Sequence, residues 1–144
     1  MPSTEGNDHL FEVIRDRAFQ TVGPARLGHV NLYLDQRVLR AGEQLGPVFH
    51  DLRTPRPSVL VFADDEPRAN FGHPCRYLLF DPESGELHAE LAARFPPWGA
   101  RVPDSLEAFH QPVRPAPPES LYHVRPELRC PVLFPAGRRG ILTA

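Results

Sequence analysis

Ten of the 18 prolines of this chain lie between Pro96 and Pro135. Proline lacks an amide hydrogen, clashes inside a helix and is excluded from central strands. The last third therefore cannot hold a long helix or a sheet interior, and regular structure is expected upstream of it. The division that follows is a frayed N-terminus over 1–6, one α+β domain over 7–111, and a Pro-rich segment over 112–144. That last segment still carries Leu121, Tyr122, Val124, Leu128, Val132, Leu133 and Phe134. It is expected to pack on the domain or on a neighbouring chain.

Within 7–111 the apolar spacing is readable. Leu10, Phe11, Ile14 and Ala18 form one stripe at helical period, behind a cap at Asn7 or Asp8 and ahead of Gly23-Pro24. This predicts a helix over Asp8–Thr21. His29–Leu34 alternates, with Val30, Leu32 and Leu34 on one face and His29, Asn31, Tyr33 and Asp35 on a face expected to be wet. Asp35-Gln36 is expected to turn into a short strand over Arg37–Arg40. His50–Pro57 reads as a loop. SVLVFA, Ser58–Ala63, is a β-branched apolar run of central-strand length. CRYLLF (Cys75–Phe80) and Glu86–Leu91 flank DPESG, a turn signal that predicts a hairpin. A last helix is expected over Leu106–Gln111, capped by Asp104 or Ser105. The sum is a helix packed on a four- to five-stranded antiparallel sheet, wrapped by the Pro-rich segment. The expected core is Phe11, Ile14, Val30, Leu32, Val59, Val61, Leu79 and Leu87.

Composition narrows function by exclusion. The net charge of −2 is not the profile of a nucleic-acid binder. The longest apolar run, Val59–Ala63, is far short of the roughly 18–20 residues a membrane helix needs. All 16 basic residues are Arg, read here as GC-rich coding, with a bacterial cytoplasm the expected setting. Without Lys there is neither a Schiff-base lysine nor a P-loop. Two cysteines 55 positions apart form no zinc knuckle. No GxSxG, GxGxxG or HExxH spacing occurs, and no cofactor is expected.

The densest chemistry is Ala63–Phe80, ADDEPRANFGHPCRYLLF, between the two greasiest segments. If those segments pair, the connector is pinched into one cluster. Three readings follow. Cys75 could be a nucleophile with His73 as base, and Asp64 a third member of the catalytic set, since i and i+2 share a strand face and a neighbouring cation lowers a thiol pKa. Asp64, Asp65 and His73 could hold a divalent cation, although adjacent Asp residues on an extended backbone point apart. Or the connector could bind a partner, with Arg68 and Arg76 offering guanidinium forks and Asn70 and Gly72 supplying positive-φ turns. Trp98 and Tyr122 join that binding set as aromatic anchors.

LGHVNLYLD, Leu27–Asp35, resembles the opening strand of vicinal-oxygen-chelate domains. The chain then runs QRVLRAGEQLGP, with Gly and Pro where that family has a helix, and no residue role is carried over. The leading expectation is a non-catalytic binding or assembly module that holds a protein or peptide partner, or a second copy, through a sheet edge and the Pro-rich tail. The alternative is a small cysteine/histidine-dependent hydrolase or transferase in the 64–76 connector. Binding to nucleic acid or membrane is not expected.

Overall fold

The computed structural model describes residues 4–46, 52–69, 72–98 and 102–114. Helix α1 (Thr4–Val22) is followed by strands β1 (Asn31–Leu39), β2 (Gln44–Leu45), β3 (Leu52–Arg53), β4 (Ser58–Asp64), β5 (Cys75–Phe80), β6 (Leu87–Ala93) and β7 (Leu106–His110). Five strands form one antiparallel sheet in the order β6-β5-β4-β1-β7, and β2 pairs with β3 in a second small sheet. The expected α+β class and the pairing of SVLVFA with CRYLLF are what the structure shows. No described helix is long and apolar enough to cross a membrane.

The central strand β4 is buried along its whole length. Its side chains alternate between two cores. Val59, Val61 and Ala63 meet Ile14 and Ala18 of α1, together with Val30, Leu32, Leu34, Leu78 and Phe80. Leu60 and Phe62 face the other way, into Tyr33, Leu39, Leu45, Cys75, Tyr77, Leu79 and Leu106. A strand that is apolar on both faces is stable only where both faces are covered. The helix covers the first face. Leu45 and Leu52 from the small sheet and the half-buried Trp98 cover the second. Trp98 packs edge-on to Phe62 at 5.1 Å and to Tyr33 at 5.3 Å, in the offset geometry aromatic quadrupoles favour.

Several expectations need correction. Helix α1 starts at Thr4, so residues 4–6, assigned above to a frayed end, make its first turn. β1 does not turn at Asp35-Gln36; it continues to Leu39 through an irregularity between Leu34 and Val38. The buried Asp35 carboxylate holds that irregularity, accepting the Arg37 amide at 2.9 Å and its guanidinium at 3.1 and 3.3 Å. Most of the face expected to be wet is dry: Asn31, Tyr33 and Asp35 are buried, and only His29, ahead of the strand, is exposed. Part of His50–Pro57 is not loop, because Leu52–Arg53 pairs with Gln44–Leu45.

The helix expected at Leu106–Gln111 is strand β7. A helix that short cannot nucleate unaided between Pro103 and Pro112, whereas the open edge of β1 offers a ladder. Its Glu107 reaches back to Arg15 of α1 at 2.6 Å. Leu87, expected in the core, is 38% exposed. Phe80 pairs with Leu87 and Leu79 with Ala89, so His88 is an extra residue that takes Leu87 out of phase. Phe11 is only half-buried against the helix-side core. The DPESG turn forms as expected: Gly85 adopts φ +72°, and a Cβ there would sit 3.1 Å from Val13 on α1. The segment 115–144 lies outside the described residues.

The extra residue has a titration consequence. Ser58 donates its only hydroxyl hydrogen to the Arg56 carbonyl at 2.7 Å, so its oxygen accepts from His88 Nε2–H at 2.9 Å. Burial, then the nearby Arg56, lower the His88 pKa from its ordinary value. The unfolded chain thus binds the proton first, and stability falls as pH drops from about 7 through 6.5 and below. His88→Gln is expected to flatten that part of the stability–pH curve, measured by urea unfolding between pH 5 and 8. Under the same assay Phe62→Ala is expected to cost about 3–5 kcal/mol. Val38→Ala, at an exposed site, is expected to stay within about 0.5 kcal/mol of the parent chain.

Candidate functional site

The antiparallel register lines up four residues across one end of the sheet. Asn31 of β1 faces Asp64 of β4, Asp64 faces Cys75 of β5, and Cys75 faces Ala93 of β6. The described residues of the 64–76 connector, 64–69 and 72–76, lie at this end, as its flanking strands require. Asp64 and His73 meet there: the imidazole Nε2 donates to Asp64 Oδ1 at 2.7 Å, and the same oxygen caps the Glu66 amide at 3.1 Å. Both side chains are only about 12% exposed. His73 is held by its own backbone as well, its amide donating to the Arg94 carbonyl at 2.8 Å.

Cys75 lies in the same row with its sulfur on the apolar face opposite the helix. Its Sγ–H points to the Phe95 carbonyl at 3.5 Å, and the Tyr77 hydroxyl donates to that same oxygen. Burial, with Asp64 and Asp65 nearby, pushes the thiol pKa up to about 12. An activated cysteine needs positive, partly exposed surroundings that stabilise the thiolate. Here the surroundings favour the neutral thiol, and Cys75 reads as a packed core residue at the mouth of a strand. Gly72 serves close approach rather than a left-handed turn: a Cβ on it would lie 2.9 Å from the Phe95 ring.

Asp64 and Asp65 diverge as adjacent residues on an extended chain must. Asp65 turns to the helix side, where Arg76 grips it at 2.8 and 3.0 Å and Arg26 approaches to 3.5 Å. Arg76 also reaches Glu90 of β6 at 3.3 Å. The three residues weighed as cation ligands are thus split between two faces. Among the described residues no three His, Cys, Asp or Glu side chains are grouped to hold a metal ion. Val22, Arg26, Asp65, Glu66, Pro74 and Arg76 line an open cleft of about 420 Å³ on the helix side, in which two guanidinium groups balance two carboxylates.

Of the residues weighed for partner binding, Arg76 is engaged by Asp65 and Glu90, Arg68 is exposed in the turn after Glu66, and Trp98 lies over Tyr33 and Phe62. Asn70 and Tyr122 lie outside the described residues.

Reading the sequence missed the feature that ties this end together. Asn31 is fully buried, and its side-chain amide imitates a strand partner. Nδ2 donates to the Val113 carbonyl at 2.7 Å, and Oδ1 accepts the Val113 amide at 3.1 Å. Gln111 adds a bond to the Tyr33 hydroxyl at 3.1 Å. The start of the Pro-rich segment is therefore clasped to its own domain. The available signal was a short amide at an alternating strand position with no local partner; its partner 82 positions away leaves no mark in local sequence.

Comparison with protein-family models, with curated proteins and with solved structures gives no match.

Two outcomes are expected. Asn31→Ala strands both Val113 backbone groups and costs about 1–3 kcal/mol by urea unfolding. In a Cys130→Ser background, Cys75 resists iodoacetamide below about pH 10 in native protein and reacts freely once unfolded. Native alkylation half-maximal near pH 8 would reveal an ordinary thiol.

Proposed function

We propose that this chain is a non-catalytic binding or assembly module that holds an extended protein or peptide segment, or a second copy of itself, at a sheet edge. The observation that carries the reading is the double cover of the sheet. Both faces are packed with apolar side chains, so a partner can add to the main-chain ladder only at an edge. The groups that chemistry would require are turned inward. The Asp64 and His73 side chains bond each other, Asp65 and Arg76 neutralise each other, and the Cys75 thiol is held protonated.

Of the two edges, β6 is the better candidate. β7 is bracketed by Pro103 and Pro112, and its Glu107 is tied to α1. β6 is longer, half-exposed and free of proline. The tail contributes as a second element, since Asn31 fixes where it departs. A partner of this kind needs neither basic charge nor a membrane surface. A reducing cytoplasm suits the free, buried thiol of Cys75.

The test is solution mass against concentration for the full chain and for a 1–114 chain that retains the Asn31–Val113 clasp. The two profiles are expected to differ. Two concentration-independent monomers of their formula masses would remove the reading.

A further inference from the structure

Among the described residues β6 ends the sheet. Its seven residues, LHAELAA, include no Pro or Lys, devices that usually blunt an edge; the extra residue His88 does so only near the start. From Ala89 to Ala93 the ladder to β5 is regular, with Leu91 at its midpoint.

We propose that two copies of this chain join edge to edge along β6, antiparallel, about a two-fold axis through Leu91. This rests on the binding-module reading above and commits its occupant to a second copy.

The first support is the direction of the backbone. The Arg94 carbonyl accepts the His73 amide at 2.8 Å, so Arg94 turns its main chain inward, to the β5 side. Alternation along an antiparallel strand then turns the amides and carbonyls of Ala93, Leu91 and Ala89 outward. An axis through Leu91 sets Leu91 against the partner's Leu91 and Ala89 against the partner's Ala93. Every outward group of the regular stretch is then paired. Moving the axis to Glu90 or Ala92 sets Ala93 or Ala89 against a residue beyond that stretch.

The second support is the side chains on the face opposite the helix. Ala89 and Leu91 are half-buried against the second core. In this register Leu91 packs on the partner's Leu91 and closes the outer boundary of both cores. The small Ala89 and Ala93 on either side leave room for that contact.

The third support is charge. Glu90 is the one carboxylate of β6, and it is exposed. Arg76 lies across from Ala92 and reaches Glu90 at 3.3 Å. The proposed register sets the partner's Glu90 beside Ala92, so two guanidinium groups and two carboxylates gather about the axis. An axis through Glu90 would instead oppose two carboxylates directly, which is destabilising. A pairing of five residues per copy is smaller than a permanent interface, so the association is weak and follows concentration.

The test uses the full chain in a Cys130→Ser background. Glu90 and the partner's Ala92 form a pair without mutual hydrogen bonds, with Cα atoms about 4.5 Å apart, within disulfide range. Glu90 and the partner's Glu90 are diagonal neighbours, about 7–8 Å apart, beyond it. Chains with Glu90→Cys are mixed with chains with Ala92→Cys and oxidised by glutathione disulfide. The mixture is expected to form interchain disulfides at least tenfold faster than either chain alone. The mass of the parent chain is expected to rise with concentration toward that of a dimer. A mixture no faster than the single chains overturns the Leu91 axis, as does fastest oxidation of either chain by itself. A parent chain that stays monomeric at every concentration overturns the pairing altogether. The binding module outlives either result if the full and 1–114 chains differ in mass profile, and falls if both are concentration-independent monomers.

Discussion

The structure depends on one strand that cannot tolerate water on either side. β4 buries every residue from Ser58 to Asp64. Its neighbours β1 and β5 are bound to it in antiparallel register over nearly its whole length. Burying side chains such as Phe62, Leu60 and Val61 is favourable by about 1.5–3 kcal/mol each, and only when two covering layers exist at once. Helix α1 supplies one layer. The other is assembled from pieces: Leu45 and Leu52 of the small sheet, Trp98, and the 111–113 segment clasped to Asn31.

The same constraint sets the chemistry at the sheet's end. Polar groups there lie beside a dry core, where an unpaired donor or carboxylate is costly. Each of the principal ones has a protein partner. Asp64 is satisfied by His73 and the Glu66 amide, Asn31 by Val113, Asp65 by Arg76, and Cys75 by the Phe95 carbonyl. Gathering ionisable groups into one cluster need not make them reactive. Burial raises the Cys75 and Tyr77 pKa values and so favours their neutral forms. The main chain at the edge of the sheet stays open to pairing among the described residues. This is why the binding reading centres on backbone pairing rather than on a catalytic side chain.

Much of the architecture was legible before any coordinates. Periodicity located α1, β4, β5 and the DPESG hairpin, because those segments carry enough apolar residues at one period to dominate their own environment. It failed where local propensity is weak and a neighbour decides. Leu106–His110 holds too few residues to favour helix or strand, and the open edge of β1 settled the matter. Asp35-Gln36 has turn composition, yet the ladder to β4 and β7 absorbs the extra residues as a bulge. Asp64 and His73, both in the connector that its sequence singled out, meet in the fold. Whether Cys75 faced solvent or core could not be read from its sequence neighbours.

The sequence by itself determined that this chain builds an α+β body, that its central strand is an apolar run long enough to be buried, and that an ionisable connector joins that strand to the next. Those are properties of spacing and composition, which act over a few residues. Only the tertiary structure decided which groups partner which: His73 with Asp64, Arg76 with Asp65, and Asn31 with a backbone 82 positions away. Hydrogen-bond partners and pKa values follow from distance and desolvation. These are fixed when strands distant in sequence come into register.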